Sequence, residues 1–442
     1  MTDLFRRRPR TFRGRRSFQG RVRGPSTDTL PSMPVHDPAA PAADRIPAEK
    51  VRQAAGILDE VGLDCWLTFV RETTETGDPL LPLVLGQPLT WQSALLVTRA
   101  GDSIAIVGKY EDDAVRSTGA WAEVIPYVEG IAAPLRETLA RLDPEAIGIN
   151  VSESDVKADG LTVGLHRVLL GHLAGTPYAD RLVSAERAAG ALRGRKTPTE
   201  LARIRAAIAL GDSIFERIGR EAVPGMTEAE VSRRMHAMAD EAGAETAWER
   251  DQCPIVTTGP GSMVGHGLPS ETLAVRRGMV FHLDFGVRLD GYCSDIQRCW
   301  WVPRTPGETA VDPEVSRSFE AVRDSIRAAF DALRPGAILH EVDAAARSTL
   351  VGRGFPEYRH ATGHQVGRAA HDGGGVIGPL WERYGDAPRR TAEVGEVWTL
   401  ELGVELEDHG YLGLEEMIVV EPDGARWLST PQTALPVLPA AQ

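Results

Sequence analysis

The hydrophobic pattern divides the chain into alternating helical and strand-like stretches. Residues 48–61 place apolar side chains at helical spacing, while 65–70, 93–97 and 103–107 are short apolar runs that predict buried strands. The alternation continues to about residue 190 and predicts an α/β unit over 46–190. Residues 188–196 then read as a polar link into a new domain. Thr197-Pro198-Thr199-Glu200 sets a capping threonine, a proline at the first helical position and a glutamate at the third, the start of a long helix through Glu221. Further on, Pro224-Gly225 followed by Glu230-Val231 recurs as Pro335-Gly336 followed by Glu341-Val342, each pair opening a helix. Two similar halves predict a pseudo-two-fold domain with a central site.

Two later stretches alternate at period two and carry carboxylates among apolar residues. Phe281-His282-Leu283-Asp284-Phe285-Gly286-Val287 leads to a turn at Asp290-Gly291 and returns through Tyr292-Cys293-Ser294-Asp295-Ile296-Gln297-Arg298. With that turn centre Asp284 faces Gln297, and Asp295 shares the face of Asp284. Taken alone, two such aspartates equally describe the solvated face of a strand. Among Phe281, Leu283, Phe285 and Ile296, unpaired negative charge is costly and calls for a cation between them. The device repeats in 397–404, a turn near Asp408-His409-Gly410 and the return 412–420, which set Glu401 and Glu415 in apolar strands. Between the hairpins lie His360, His364 and His371 in a glycine-rich segment that lets backbone approach a ligand closely. One imidazole and four carboxylates form a hard, oxygen-rich set that suits Mn²⁺ or Co²⁺ and also accommodates Zn²⁺. Four negative ligands balance two divalent cations, and a dinuclear hydrolase is the function predicted.

Composition narrows the setting. The 442 residues allow two to three domains, and 42% hydrophobic with 25% charged residues describes a soluble globular chain without a membrane span. The net charge of −13 argues against nucleic-acid or anionic-membrane partners. Nine arginines nevertheless crowd residues 1–32 against two aspartates, so the body is more acidic than the total implies. Arg15-Arg16 has no apolar segment behind it, which argues against export. Residues 1–45 read as a disordered basic and Pro/Ala-rich leader, of which 1–32 are disordered or even untranslated, with Met33 as the natural start. Cys65, Cys253, Cys293 and Cys299 show no CxxC spacing, which points to a reduced cytoplasm and to neither a zinc clip nor a disulfide framework.

The order of the candidate ligands resembles the pita-bread metallopeptidases: aminopeptidase P, prolidase, methionine aminopeptidase and their metal-free relative creatinase. Its elements are Asp284, Asp295 eleven residues on, His364 in a Gly-His segment, Glu401, and Glu415 in a Glu-Glu strand. The resemblance covers about 195–425, and 46–190 is similar to the creatinase-type amino-terminal domain. It implies an α/β N-terminal domain followed by an α+β pseudo-two-fold pita-bread catalytic domain, with 426–442 a C-terminal tail. By position, Asp284 chelates one metal, Asp295 and Glu415 bridge both, and His364 and Glu401 complete the second. His266, in Gly265-His266-Gly267, and His371 match the substrate-facing histidines, and His360 lines the same pocket. The implied activity is that of an exopeptidase carrying two divalent ions, Mn²⁺ foremost. It releases an N-terminal residue or splits a dipeptide, with preference for proline at the second position. His266 and His371 hold the substrate, and Glu401 passes a proton to the leaving amine; His282 has a supporting role beside Asp284.

The partner is a small peptide, and the assembly a homodimer or homotetramer. Trp66, Trp91 and Trp121 are candidates to wall a neighbouring subunit's pocket, core positions being the alternative. The chain departs from the pattern at Leu402, where relatives carry proline, at Asp372, where they carry glutamate, and at Gly413, where proline-specific members carry arginine. The last departure bears on proline specificity rather than on hydrolysis. Two other readings are a creatinase-like hydrolase of a non-peptide C–N bond and an inactive pita-bread binding module. Both lack part of the ligand set that Asp284, Asp295, His364, Glu401 and Glu415 supply together.

Overall fold

In the computed structural model, which describes residues 44–265 and 267–439, side-chain alternation decides how the first sheet is covered. Cys65–Val70 (β1), Ser93–Thr98 (β2) and Ser103–Gly108 (β3) are buried along their whole length. With Glu123–Tyr127 (β4), Ile147–Ile149 (β5) and Leu182–Ser184 (β6) they form a sheet of order β4-β3-β2-β1-β5-β6. Trp66, Val70, Leu95 and Val107 belong to the core that includes Ile57 and Leu58 of Ile46–Val61 (α1). Leu67, Phe69, Leu96 and Ile104 instead meet Leu135 and Leu139 of Ala132–Leu142 (α2) and Leu165 and Leu169 of Val163–Leu173 (α3). A sheet covered on both faces explains why these strands are continuously apolar in sequence. The expected leader falls almost wholly on residues 1–43, outside the described residues.

Residues 188–196 are not the polar link that their composition predicts. Most of them continue the helix Glu186–Gly194 (α4), and Arg193 and Lys196 are buried. Arg193 pairs with Asp372, and Lys196 Nζ donates to the carbonyl of Arg193. Lys50 of α1, fully buried, reaches the carbonyls of Leu192 and Arg195 at 2.6 and 2.8 Å and Glu200 at 2.7 Å. Buried charges persist only when paired in this way. The following helix, Pro198–Glu221 (α5), begins with the capping box between Thr197 and Glu200 that the spacing predicts. Glu200 also accepts a hydrogen bond from Tyr292 at 3.0 Å.

The repeated Pro-Gly pairs do precede helices, Glu228–Glu241 (α6) and, after Pro313–Ala332 (α7), Leu339–Gly352 (α8). Both glycines adopt left-handed backbone, φ +98° at Gly225 and +82° at Gly336. The second sheet comprises Ile255–Thr257 (β7), Val280–Phe285 (β8), Ile296–Trp301 (β9), Val397–Leu406 (β10) and Gly410–Glu421 (β11), in the order β10-β11-β9-β8-β7. Gly424–Trp427 (β12) pairs with β11, and all pairings are antiparallel. On β10 and β11, Trp398, Leu400, Leu402, Leu412 and Leu414 share a core with Phe319 of α7 and Leu350 of α8. Alternation turns Glu401 and Glu415 the other way. Beyond β12, the chain bonds both backbone groups of Trp301 through Pro436 and Leu438. The four cysteines are free and buried. No helix among the described residues is long and apolar enough to cross a membrane.

Candidate metal centre

Strand register places the carboxylates. Asp284 pairs with Gln297, as the turn position predicts; Gln297 pairs with Glu415, and Glu415 with Glu401. Directly opposed residues share a face, so these side chains form one transverse row across four strands. Asp295 enters the same site just before β9. His364 arrives from a short segment laid along β10, where Glu401 N–H donates to Thr362 O at 2.7 Å and His364 N–H to Thr399 Oγ1 at 3.1 Å. Gly363 permits that approach, because a Cβ there would come within 2.1 Å of Thr399 O. The donor atoms of Asp295, His364 and Glu415 lie within 4.8 Å of one another. His364 Nε2 stands 3.7 Å from Asp295, 3.7 Å from Glu415 and 3.9 Å from Glu401. Asp284 lines the same cavity, with Oδ1 buried and without a hydrogen-bond partner among the described residues.

Left to themselves, these groups repel. Burial, reinforced by Glu401, pushes the Asp284 carboxyl well above the usual carboxylate range. Burial and the neighbouring carboxylates do the same to Asp295 and Glu415. Burial pushes Glu401 up to about 7 against the hydrogen bond from Gln297, which lowers it, while burial and His371 pull His364 down to about 3. Neutral imidazole, crowded hard oxygen donors and an orphaned carboxylate oxygen fit divalent cations, which would remove the repulsion. A second trio, Asp312, Glu314 and His409, is otherwise engaged. Asp312 caps α7 and pairs with Arg304, and His409 Nδ1 bonds the carbonyl of Gly278.

The carboxylates line a cavity of about 960 Å³. His360 and His371 both line it and are exposed, the ring of His371 lying 4.2 Å from that of His364. His266 lies outside the described residues, although Gly265 beside it lines the cavity. His282 is buried and lines the cavity as well, its Nε2 3.0 Å from Gln297 Oε1. Trp66 and Trp121 are core residues, whereas Trp91 is 56% exposed. Trp248, Tyr358, Tyr411 and Lys157 also line the cavity without having been predicted to do so. An aromatic residue in an apolar strand gives no sign of facing a cavity. The one usable cue was Gly413, beside which Tyr411 packs.

A dipeptidase of Mycobacterium bovis, described as "Probable dipeptidase PepE", is 33% identical over 258 residues, 56% of this chain. This chain thus spans 63% of that relative's length. The crystal structure of dipeptidase PepE from Mycobacterium ulcerans superposes with a TM-score of 0.66 at 24% identity, covering 89% of this chain and 98% of that one. The Xaa-Pro dipeptidase from Bacillus anthracis gives 0.66 at 22% identity, covering 88% and 99%. The shared architecture is the pita-bread fold preceded by an α/β region. Residues 202–422, which hold every described candidate ligand, match metallopeptidase family M24, and the chain belongs to that family.

Proposed function

We propose that the chain is a divalent-metal exopeptidase that hydrolyses the N-terminal bond of short peptides or dipeptides, with preference for Xaa-Pro. The observation that carries this reading is the convergence of Asp295, His364 and Glu415 within 4.8 Å, with Glu401 and Asp284 beside them. Asp284, Asp295, His364, Glu401 and Glu415 would hold two divalent ions, Mn²⁺ suiting the donors best and Co²⁺ or Zn²⁺ being alternatives. The chemistry such ions supply is acidification of water and polarisation of a peptide carbonyl at neutral pH. His371, exposed at the cavity with its ring next to that of His364, and His360, which lines the same cavity, would hold the substrate, and the sequence resemblance adds His266 to them. Glu401 keeps Oε1 toward His364 while Oε2 is hydrogen-bonded by Gln297, which leaves Oε1 to take up a proton and release it to the leaving amine. Names of relatives, dipeptidase and Xaa-Pro aminopeptidase, support a peptide substrate. Free, buried cysteines support a reducing compartment such as the cytoplasm. A homodimer or homotetramer is the assembly expected, to be read by sedimentation.

The test is to strip the protein with chelator, reload it separately with Mn²⁺, Co²⁺ and Zn²⁺, and offer Xaa-Pro dipeptides, Xaa-Pro-Yaa tripeptides and proline-free controls. Products are identified by mass. Release of the N-terminal residue from proline peptides is expected. Cleavage of proline-free controls alone would remove the proline preference, and no cleavage with any metal would remove the peptidase.

A further inference from the structure

The transverse row contains one uncharged member. Gln297 stands directly opposite both Asp284 and Glu415. Its Nε2 donates to Glu401 Oε2 at 3.0 Å, and its Oε1 lies 3.0 Å from His282 Nε2. Glu401 fixes the direction of this chain, because as a ligand of divalent ions it would be ionised, and an ionised carboxylate only accepts hydrogen bonds. The amide nitrogen must therefore face Glu401, the amide oxygen must face His282, and His282 must carry its proton on Nε2. The histidine that orients the amide is itself immobilised. It is 2% exposed and meets the edge of Tyr411 with ring centroids 4.9 Å apart.

Space as well as hydrogen bonding is committed to this arrangement. A Cβ at Gly413 would lie 2.6 Å from Gln297 Oε1 and 2.5 Å from the Tyr411 ring. The volume that a side chain at position 413 would enter is thus taken by the glutamine amide and the tyrosine. The consequence falls on Glu401. One of its oxygens is tied by Gln297, and the other stands 3.9 Å from His364 Nε2. A carboxylate tied by one oxygen is held against rotation, so Oε1 is the oxygen kept turned toward His364.

We propose that Gln297, oriented by His282, is a positioning residue that fixes which oxygen of Glu401 is presented to the metal centre. This rests on the assignment of Glu401 under the proposed function. Neither residue touches the reacting atoms in this account, and His282 acts only through Gln297.

The test compares full-length Gln297→Met, which keeps length but removes the donor, with His282→Leu, His282→Gln and the double variant Gln297→Met/His282→Leu. Readouts are kcat and KM separately on a peptide the wild type cleaves, and the visible absorption of the Co²⁺-loaded protein. Loss of a hydrogen bond to a metal-ligating group costs about 10–100-fold in affinity or activity, so Gln297→Met should lose kcat by that factor with KM within about threefold. His282→Leu should lose about tenfold, and His282→Gln, which restores an N–H near the Nε2 position, should recover most of it. The double variant should be no worse than Gln297→Met, since groups acting in one chain are not additive. The cobalt spectrum should change in Gln297→Met and His282→Leu and return in His282→Gln. Wild-type kcat and spectrum in Gln297→Met, or multiplying effects in the double variant, would overturn the proposal. Should Gln297→Met not fold, the His282 pair decides alone, and equal behaviour of His282→Leu and His282→Gln overturns it. If the wild type cleaves no peptide, the peptidase reading falls while the cobalt spectra, which need no turnover, still decide the positioning.

Discussion

A carboxylate in an apolar strand is conspicuous because the cost of burying it demands an explanation, and this is why Asp284, Glu401 and Glu415 were legible from sequence. Gln297 was visible only as the residue facing Asp284. Its bond to Glu401 crosses 104 positions of sequence and depends on two strand pairings at once. Tyr358 and Tyr411 were invisible for the same reason, since nothing local distinguishes a cavity-lining tyrosine from a core one. At this scale, Asp295→Asn, His364→Ala and Glu415→Gln should each lower kcat/KM by at least about 100-fold, more than loss of a supporting hydrogen bond does. Each should also weaken Mn²⁺ binding in calorimetry while far-UV circular dichroism stays unchanged. A variant that keeps both wild-type activity and metal affinity would strike that residue from the ligand set.

Among elements, the paired hairpins and the helix beginning at Thr197 followed from alternation and capping chemistry, both local signals. Residues 188–196 did not, because Arg193 and Lys196 look like surface charges until Asp372, 179 positions from Arg193, is seen to neutralise them. Local composition cannot report a partner that distant. Lys50 shows what that arrangement is worth: Lys50→Met would leave Glu200 buried without its cation and should lower stability by about 3–5 kcal/mol in chemical denaturation. The strand segment carrying His364 is equally exacting. Gly363→Ala would force a methyl toward Thr399 O, 2.1 Å from its ideal position, so His364 must shift. We expect Mn²⁺ affinity to fall by at least about tenfold, read by calorimetry. An unchanged affinity would show that the segment moves as a unit without cost.

At the scale of the whole molecule, metal and pH are linked. In the metal-free fold, burial and then mutual repulsion raise Asp284, Asp295 and Glu415, and burial raises Glu401 to about 7. Groups with raised folded values bind more protons folded than unfolded, so their stabilising contribution is present below about pH 4 and is lost as pH climbs through the folded values. Divalent cations replace those protons. The difference in Tm between Mn²⁺-loaded and chelated protein should therefore be small at pH 5 and widen toward pH 8. A gap independent of pH would mean that the ion does not sit among these carboxylates.

The row formed by Asp284, Gln297, Glu415 and Glu401 also ties chemistry to the fidelity of folding. A strand paired one residue out of step turns every side chain it carries to the opposite face. Such a slip on β11 would remove Glu415 and break the row between Gln297 and Glu401 together. Refolded material should thus contain molecules with a whole site and molecules with none. In a mixed batch, the number of tight metal sites per chain and the specific activity should fall in equal proportion, while KM stays that of the native protein.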